Sequence, residues 1–141
     1  MGWPFFCGDY RSALLVLPRE LQQELNMSGD LAKRRCEPCD GGIEPLRADQ
    51  CAELMQALHA DWTLSEDGLA ISRTFAFPAY SRTLGFANAV AWIAISEGHH
   101  PVLTVAYGSC LVSYTTHAIN GLSDNDFICA AKIDRLAADT V

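Results

Sequence analysis

The sequence predicts an α+β fold in which a four-stranded antiparallel sheet carries its helices on one face, in the order αββαββα. Two observations lead to this class. Two strand pairs are each joined by a short turn, and three helical patterns precede, separate and follow them. A chain of 141 residues has the size of one domain with a single core. We expect residues 1–45 to be a loosely ordered N-terminal extension and residues 46–141 to form the domain.

The first 45 residues show little periodic pattern. Prolines and glycines interrupt them, and a short helix at residues 19–25 is the main local prediction there. Met27 is a second plausible translation start. This gives the hypothesis that residues 1–26 are an upstream extension of a domain that begins later.

The first half of the domain reads as a helix followed by a hairpin. Residues 48–59 carry apolar side chains three, four and seven positions apart, which is typical of an amphipathic helix. Residues 62–65 and 70–77 read as strands around the turn Glu66-Asp67-Gly68. The period of two places these side chains of the second strand on one face: Ile71, Arg73, Phe75 and Phe77.

The second half begins with the longest helical pattern, at residues 81–96. Gly98 suits the position just past its end, where a left-handed backbone is needed. Residues 102–107 and 110–117 then read as a second hairpin around the turn Gly108-Ser109.

Alternation along the last strand brings three histidines toward one end of the sheet. His117 falls on the polar face with Thr115 as its neighbour. His99 and His100 precede the strand that pairs with this one, so all three rings can converge where that strand begins and the last strand ends. The opposite, core-facing side of the last strand carries Cys110, Val112 and Tyr114.

The final element is a helix over residues 127–138. Ser123 is the expected N-cap, and Asp126 lies three residues further on, close to the capping-box spacing. The acid also suits the positive end of a helix.

Composition excludes several classes of function. The formal net charge is −7, and neutralising nucleic-acid phosphates needs clustered lysine and arginine instead. No segment approaches the ~18 apolar residues of a membrane span, and the N-terminus does not match a signal peptide. We therefore expect a cytoplasmic protein that binds neither nucleic acid nor membrane.

Six cysteines in a chain without an export signal are expected to be reduced thiols. Cys51, Cys110 and Cys129 have apolar neighbours and are expected to be small core residues. Cys36 and Cys39 have the CxxC spacing of metal or redox sites. A second ligand pair is missing from the sequence, and Asp40-Gly41-Gly42 follows instead of a helix. A loop feature is favoured, and a zinc or redox role remains the alternative.

Three interpretations compete for the histidine cluster. In the first, His99 and His100 end a helix and His117 binds into a loop, with purely structural roles. In the second, the three rings hold a zinc ion with an open water position. In the third, they perform metal-free acid–base catalysis, which suits imidazole because its unperturbed pKa of about 6.5 lies near working pH.

Several motifs in order resemble the pterin-4a-carbinolamine dehydratase family, in its bacterial type, over roughly residues 46–137. The stretches are GHHP at residues 98–101 and TTHAINGLSDNDF at residues 115–127, with DWTLSEDG at 61–68 and RTFAF at 73–77. CEPCDGG, at residues 36–42, resembles an N-terminal feature of bacterial members. The family signature stands here as His99-His100-Pro101, Tyr107, His117 and Asp126.

The resemblance implies the dehydration of 4a-hydroxytetrahydropterin to quinonoid dihydropterin, without metal or cofactor. His99, His100 and His117 would be catalytic, with His99 and His117 transferring protons and His100 orienting the pterin. Trp62 would lie near the pocket, although a core or interface position is equally open. Substrate-binding roles are implied for Pro101, Thr115, Thr116 and Asp126.

The resemblance also implies partners. Recycling the pterin would link the protein to an aromatic amino-acid hydroxylase, and an open hairpin edge favours a homodimer or homotetramer. The alternative function is a non-catalytic dimerisation or assembly partner with the same fold. Ile95 is the feature that favours this alternative, because the family usually has an acidic or polar residue four positions before the first histidine.

Overall fold

The computed structural model describes residue 18 and residues 30–39 and 42–140. The predicted helix at residues 19–25 and the Met27 start lie outside these ranges. In the domain, each predicted strand and helix is present, with ends that shift by a few residues. The elements are α1 (Ala48–Gln56), β1 (Thr63–Leu64), β2 (Ile71–Ala76), α2 (Tyr80–Glu97), β3 (Val102–Val105), β4 (Ser109–Tyr114), a 3-10 helix (His117–Ile119) and α3 (Asp124–Thr140).

The sheet has the strand order β1-β2-β4-β3, and every neighbouring pair is antiparallel. The predicted α+β class with two hairpins is confirmed. β4 lies between β2 and β3, so its inward side chains are covered by α2 and α3. The predicted alternation is also confirmed, because the β4 side chains with no exposure are Cys110, Val112 and Tyr114.

The expectation that the last strand continues to His117 is wrong. β4 ends at Tyr114, and His117 is the first residue of the 3-10 helix. The chain turns because Thr116 forms an isolated bridge with Gly121, and Asn120 adopts a left-handed backbone with φ 51°. His117 is therefore carried by a turn just beyond the sheet.

Residues 30–39, which the sequence assigns to the extension, contact α2 and α3. The Cys36 N–H donates to Glu97 Oε2 at 2.9 Å. The Glu37 N–H donates to Asn125 Oδ1 at 3.1 Å, and Asn125 Nδ2 donates back to the Glu37 carbonyl at 2.6 Å. This part of the chain is thus hydrogen-bonded to the end of α2 and the start of α3. We name residues 30–39 the N-terminal segment.

Candidate active site

His99 and Asp126 form an ion pair where α2 ends and α3 begins. Gly98 terminates α2 with φ 65°, a left-handed conformation that glycine adopts without strain. The next residue, His99, places Nε2 2.7 Å from Asp126 Oδ1, and its side chain is only 11% exposed. The imidazole also stacks on Tyr114, with ring centroids 5.5 Å apart and an interplanar angle of 11°. The ring is therefore fixed by both a carboxylate and an aromatic face.

The Asp126 carboxylate organises the surrounding turn. It has no exposure, and its Oδ2 accepts hydrogen bonds from Thr116 Oγ1 at 2.7 Å and from the Ser123 N–H at 2.8 Å. The Ser123 hydroxyl bonds to Thr116 Oγ1 at 2.8 Å and therefore turns toward the 3-10 helix side of the site. The predicted pairing of Ser123 with Asp126 at the helix start is confirmed for one of its two hydrogen bonds, in which the Asp126 carboxylate accepts from the Ser123 N–H. Asp126 thus connects His99 to the helix start and to Thr116.

The carboxylate also controls the protonation of His99. Burial alone lowers the pKa of the imidazole, but the hydrogen bond and negative charge of Asp126 outweigh burial and raise the pKa above its ordinary value. His99 therefore holds a proton at a higher pH than a free imidazole does. A buried imidazolium fixed by a carboxylate is a suitable proton donor.

The other two predicted histidines are chain neighbours of residues in this network, because His100 follows His99 and His117 follows Thr116. Val102 pairs with Ser113, which places the His99-His100-Pro101 segment beside the end of β4. His100 and His117 are both exposed. Within the described ranges, no hydrogen bond or ion pair engages either ring, so both are available to a ligand.

Pro101 and Thr115 are half-buried, whereas Thr116 is 3% exposed and already bonded to Asp126. The structure therefore brings His99, Thr116 and Asp126 into direct contact. Thr115, at the end of β4, keeps a side chain that a ligand can reach.

Trp62 is engaged elsewhere. Its side chain is 3% exposed, and its indole N–H donates to Asp134 Oδ1 at 2.7 Å. Arg73 Nη1 bonds the same oxygen at 2.6 Å. Asp134 lies about 12 Å along α3 from Asp126, at 1.5 Å per residue. The structure does not bring Trp62 to the His99–Asp126 pair, and its burial supports the core interpretation.

Tyr114 and Cys129 are site residues that sequence reasoning assigned only to the core. Tyr114 supplies the face on which His99 stacks. Burial raises the pKa of its hydroxyl, and the neighbouring Cys129 sulfur acts in the same direction. The alternation that places Tyr114 inside the sheet was the available signal, but spacing alone could not show that His99 folds over it.

Two features are absent from the described part of the chain. Over residues 30–39 and 42–140, no three or more histidine, cysteine, aspartate or glutamate side chains are grouped so as to hold a metal ion. No helix among the described residues is long and apolar enough to cross a membrane.

Comparisons with known proteins identify relatives of this chain. Residues 44–136 match the family model described as pterin 4 alpha carbinolamine dehydratase. A protein of Nitrosomonas eutropha, provisionally named pterin-4-alpha-carbinolamine dehydratase, is 53% identical over 107 residues, covering 76% of this chain and 93% of the relative. A Legionella pneumophila protein with the same provisional name is 47% identical over 113 residues, covering 80% of this chain and 100% of the relative.

A solved structure is similar as well. The crystal structure described as a transcriptional coactivator/pterin dehydratase from Brucella melitensis superimposes with a TM-score of 0.63 and 31% identity, over 67% of this chain and 99% of that chain. The family match covers the residues that carry the His99–Asp126 pair, His100 and His117. This chain belongs to the pterin 4 alpha carbinolamine dehydratase family.

Proposed function

We propose that this protein is a 4a-hydroxytetrahydropterin dehydratase that eliminates water by histidine acid–base catalysis and so returns quinonoid dihydropterin to an aromatic amino-acid hydroxylase cycle. The observation that carries the proposal is the 2.7 Å contact between His99 Nε2 and the buried Asp126 carboxylate. That contact joins two elements of the family signature, and it favours the proton-donating form of His99.

The chemistry divides between an acid and a base. His99 protonates the departing 4a-hydroxyl, the C4a–O bond breaks, and the oxygen leaves as water. His117 takes the proton from N5, and the N5–H electron pair forms the N5=C4a double bond. The exposure of His117 leaves its ring free to receive that proton. The Asp126 carboxylate thus holds the His99 ring protonated, while the His117 ring stays open to solvent.

The remaining predicted residues position the pterin. His100 and Thr115 have accessible side chains and bind the ring directly. Pro101 is half-buried and forms an apolar edge beside His100. Thr116 and Asp126 are buried and mutually bonded, so their contribution is to hold His99 and the turn that carries His117.

Stopped-flow absorbance of chemically generated 4a-hydroxytetrahydropterin tests the proposal. We expect the wild type to accelerate dehydration, and His99→Gln and His117→Gln each to lose about 10²–10⁴-fold, the usual contribution of a positioned acid or base. His59→Gln is the matched control, because His59 is a half-exposed histidine whose Nδ1 accepts from the Asp61 N–H at 3.2 Å and lies 3.6 Å from the Asp61 carboxylate, away from the proposed site. No acceleration by folded wild type, or an equal loss in the control, would refute the assignment.

The second candidate is a non-catalytic assembly partner, and one observation favours it. α2 presents Trp92 and Ile95 to solvent with 70% and 72% exposure. In addition, β3 is the edge strand of the described sheet, and its Val102 is 57% exposed. Large exposed apolar side chains and an open strand edge are each typical of an interface. The solved structure from Brucella melitensis is described as both a transcriptional coactivator and a pterin dehydratase.

We infer that a second copy of this chain covers the outer surface of α2 that carries Trp92 and Ile95, giving a homodimer or homotetramer. An oligomer can also be an active enzyme, so the stopped-flow measurement separates the two functions. A folded oligomer that does not accelerate dehydration in that measurement would favour the assembly role over the enzyme.

A further inference from the structure

Cys36 and Cys129 bring two sulfur atoms together from distant parts of the chain. Their Sγ atoms are 3.6 Å apart, a contact between the N-terminal segment and the middle of α3. Cys129 has no exposure, whereas Cys36 is half-buried. The dehydration mechanism uses neither thiol.

Neighbouring groups hold Cys36 in this position. Its N–H donates to Glu97 Oε2 at 2.9 Å, and its Sγ is 3.8 Å from the Asn125 carbonyl oxygen. The side chain of Glu97 also lies 3.4 Å from Lys132 Nζ, and Lys132 in turn donates to the Ala32 carbonyl at 2.8 Å. Two hydrogen bonds between the N-terminal segment and the helices, from the Cys36 N–H to Glu97 and from Lys132 to the Ala32 carbonyl, therefore stabilise the region of the sulfur contact.

The second cysteine of the CxxC motif has different partners. Cys39 Sγ accepts from Asn125 Nδ2 at 3.1 Å and lies 3.9 Å from the Ser123 hydroxyl. The short sulfur–sulfur contact thus joins Cys36 to Cys129 and leaves Cys39 at the start of α3. Spacing along the sequence pairs Cys36 with Cys39, but the fold pairs it with Cys129.

We propose that Cys36 and Cys129 are a redox pair that hydrogen peroxide converts into a reversible disulfide linking the N-terminal segment to α3. A disulfide needs its sulfurs about 2.05 Å apart, so the two atoms approach by about 1.6 Å from their present contact. The half-buried Cys36 gives a small oxidant access, and the buried Cys129 lies next to it as the resolving thiol.

The reaction balances without any group beyond peroxide. The Cys36 thiolate attacks one peroxide oxygen, the O–O bond breaks, and the departing hydroxide takes a proton to become water. Cys129 Sγ then attacks the sulfenic sulfur, the S–S bond forms, and the S–O bond breaks to release a second water. Two thiols are oxidised, one peroxide is reduced, and a dithiol reductant reverses the step.

The environment lowers the cost of the first deprotonation. The Cys36 S–H donates toward Cys129 and lowers the pKa of the Cys129 thiol, an effect that the nearby His99 charge reinforces. The same contact, together with burial and the Glu97 charge, raises the pKa of the Cys36 thiol. The negative charge of the deprotonated pair therefore rests mainly on Cys129, and because the sulfurs touch, the shared proton passes to Cys129 as Cys36 attacks the peroxide. This geometry favours oxidation of the pair over oxidation of an isolated buried thiol.

Peptide mapping of the full-length protein tests the proposal. The protein is treated with hydrogen peroxide, quenched in acid, alkylated and digested without reduction. We expect a linked peptide pair containing Cys36 and Cys129, which disappears after dithiothreitol. We also expect a rise in the thermal midpoint of at least about 5 °C, because a cross-link that closes a long loop restricts the unfolded chain.

Matched variants identify the partners. Cys36→Ser changes the half-buried member and should abolish the link and the thermal shift while the protein stays folded. Cys39→Ser should retain both. Cys110→Ala, which changes a buried cysteine of β4, should also retain both.

Two results would overturn the pairing. One is a linked peptide that joins Cys36 to Cys39 or to Cys7 in the wild type. The other is a folded wild type in which Cys36 accumulates sulfinic acid while Cys129 stays reduced.

Discussion

Replacing Asp126 by asparagine removes the negative charge of this side chain and keeps its size and one oxygen that accepts hydrogen bonds. Asparagine keeps an oxygen that can accept from the Ser123 N–H and the Thr116 hydroxyl, the two donors at 2.8 and 2.7 Å. What disappears is the negative charge 2.7 Å from His99 Nε2. A hydrogen bond between charged groups contributes about 1.5–3 kcal/mol, and a neutral one about 0.5–1.5 kcal/mol. We therefore expect Asp126→Asn to lower the free energy of unfolding by about 1–2 kcal/mol where His99 is protonated.

The pH dependence of that loss has a definite sign. In the wild type, Asp126 raises the pKa of His99, so the folded chain holds this proton more tightly than the unfolded chain does. The stabilisation is complete below about pH 6.5, the ordinary histidine value, and is lost as the pH rises through the raised folded value. In the variant both Asp126 contributions are gone, and burial, which lowers the pKa of His99, is opposed only by the smaller effect of the Cys129 charge. The variant therefore loses stability as the pH falls, and the difference from wild type grows toward low pH.

Urea unfolding from about pH 5.5 to about pH 8.5 measures this difference. Asp124→Asn is the matched control, because Asp124 also lies in the first turn of α3 but bonds the half-exposed Arg34 at 2.7 Å. The control should show a small loss of stability without the growth toward low pH. A destabilisation of Asp126→Asn that stays constant, or that grows toward high pH, would refute the charged pair with His99.

Three further perturbations test other parts of the structure. Asp134→Ala should lower the free energy of unfolding by about 3–5 kcal/mol, because it removes the carboxylate that accepts from both the Trp62 indole and the largely buried Arg73 guanidinium; a loss below about 1 kcal/mol in urea unfolding would contradict this. Trp92→Glu combined with Ile95→Glu should give monomers in light scattering with unchanged circular dichroism, and an unchanged mass would exclude this face as the interface. Gly98→Ala should cost about 1–2 kcal/mol in thermal unfolding from its left-handed backbone alone, since its added Cβ meets no atom within 4 Å; unchanged stability would show that the turn relaxes.

Local patterns were sufficient to predict most of the fold. Alternation identified the buried face of β4, and the glycine at the end of α2 adopts the left-handed conformation that its position required. The placement of Ser123 directly before α3, with Asp126 accepting from its N–H, also followed from residue types alone. These features depend on neighbours within a few positions, which is the range that periodicity and capping describe.

Features that depend on distant residues were harder to predict. His117 was placed on a strand because alternation continues through Thr116, yet the bridge between Thr116 and Gly121 turns the chain there. The contact of Trp62 with Asp134 spans 72 positions, and the contact of Cys36 with its sulfur partner spans 93. No local spacing encodes such pairs. They follow only once the helices are packed on the sheet.

The proposed function connects the chemistry of this domain to its folding through the position of Asp126. A carboxylate without exposure needs compensation for the loss of water, and three donors supply it: a backbone N–H at the start of α3, the Thr116 hydroxyl and the His99 ring. The helix start contributes its partial positive charge as well. Because the same carboxylate fixes the protonated ring and joins α3 to the turn before His117, a change that weakens the site also weakens the packing of the last helix. Function and stability should therefore decline together in Asp126 variants and separately in variants of the exposed His100 and His117.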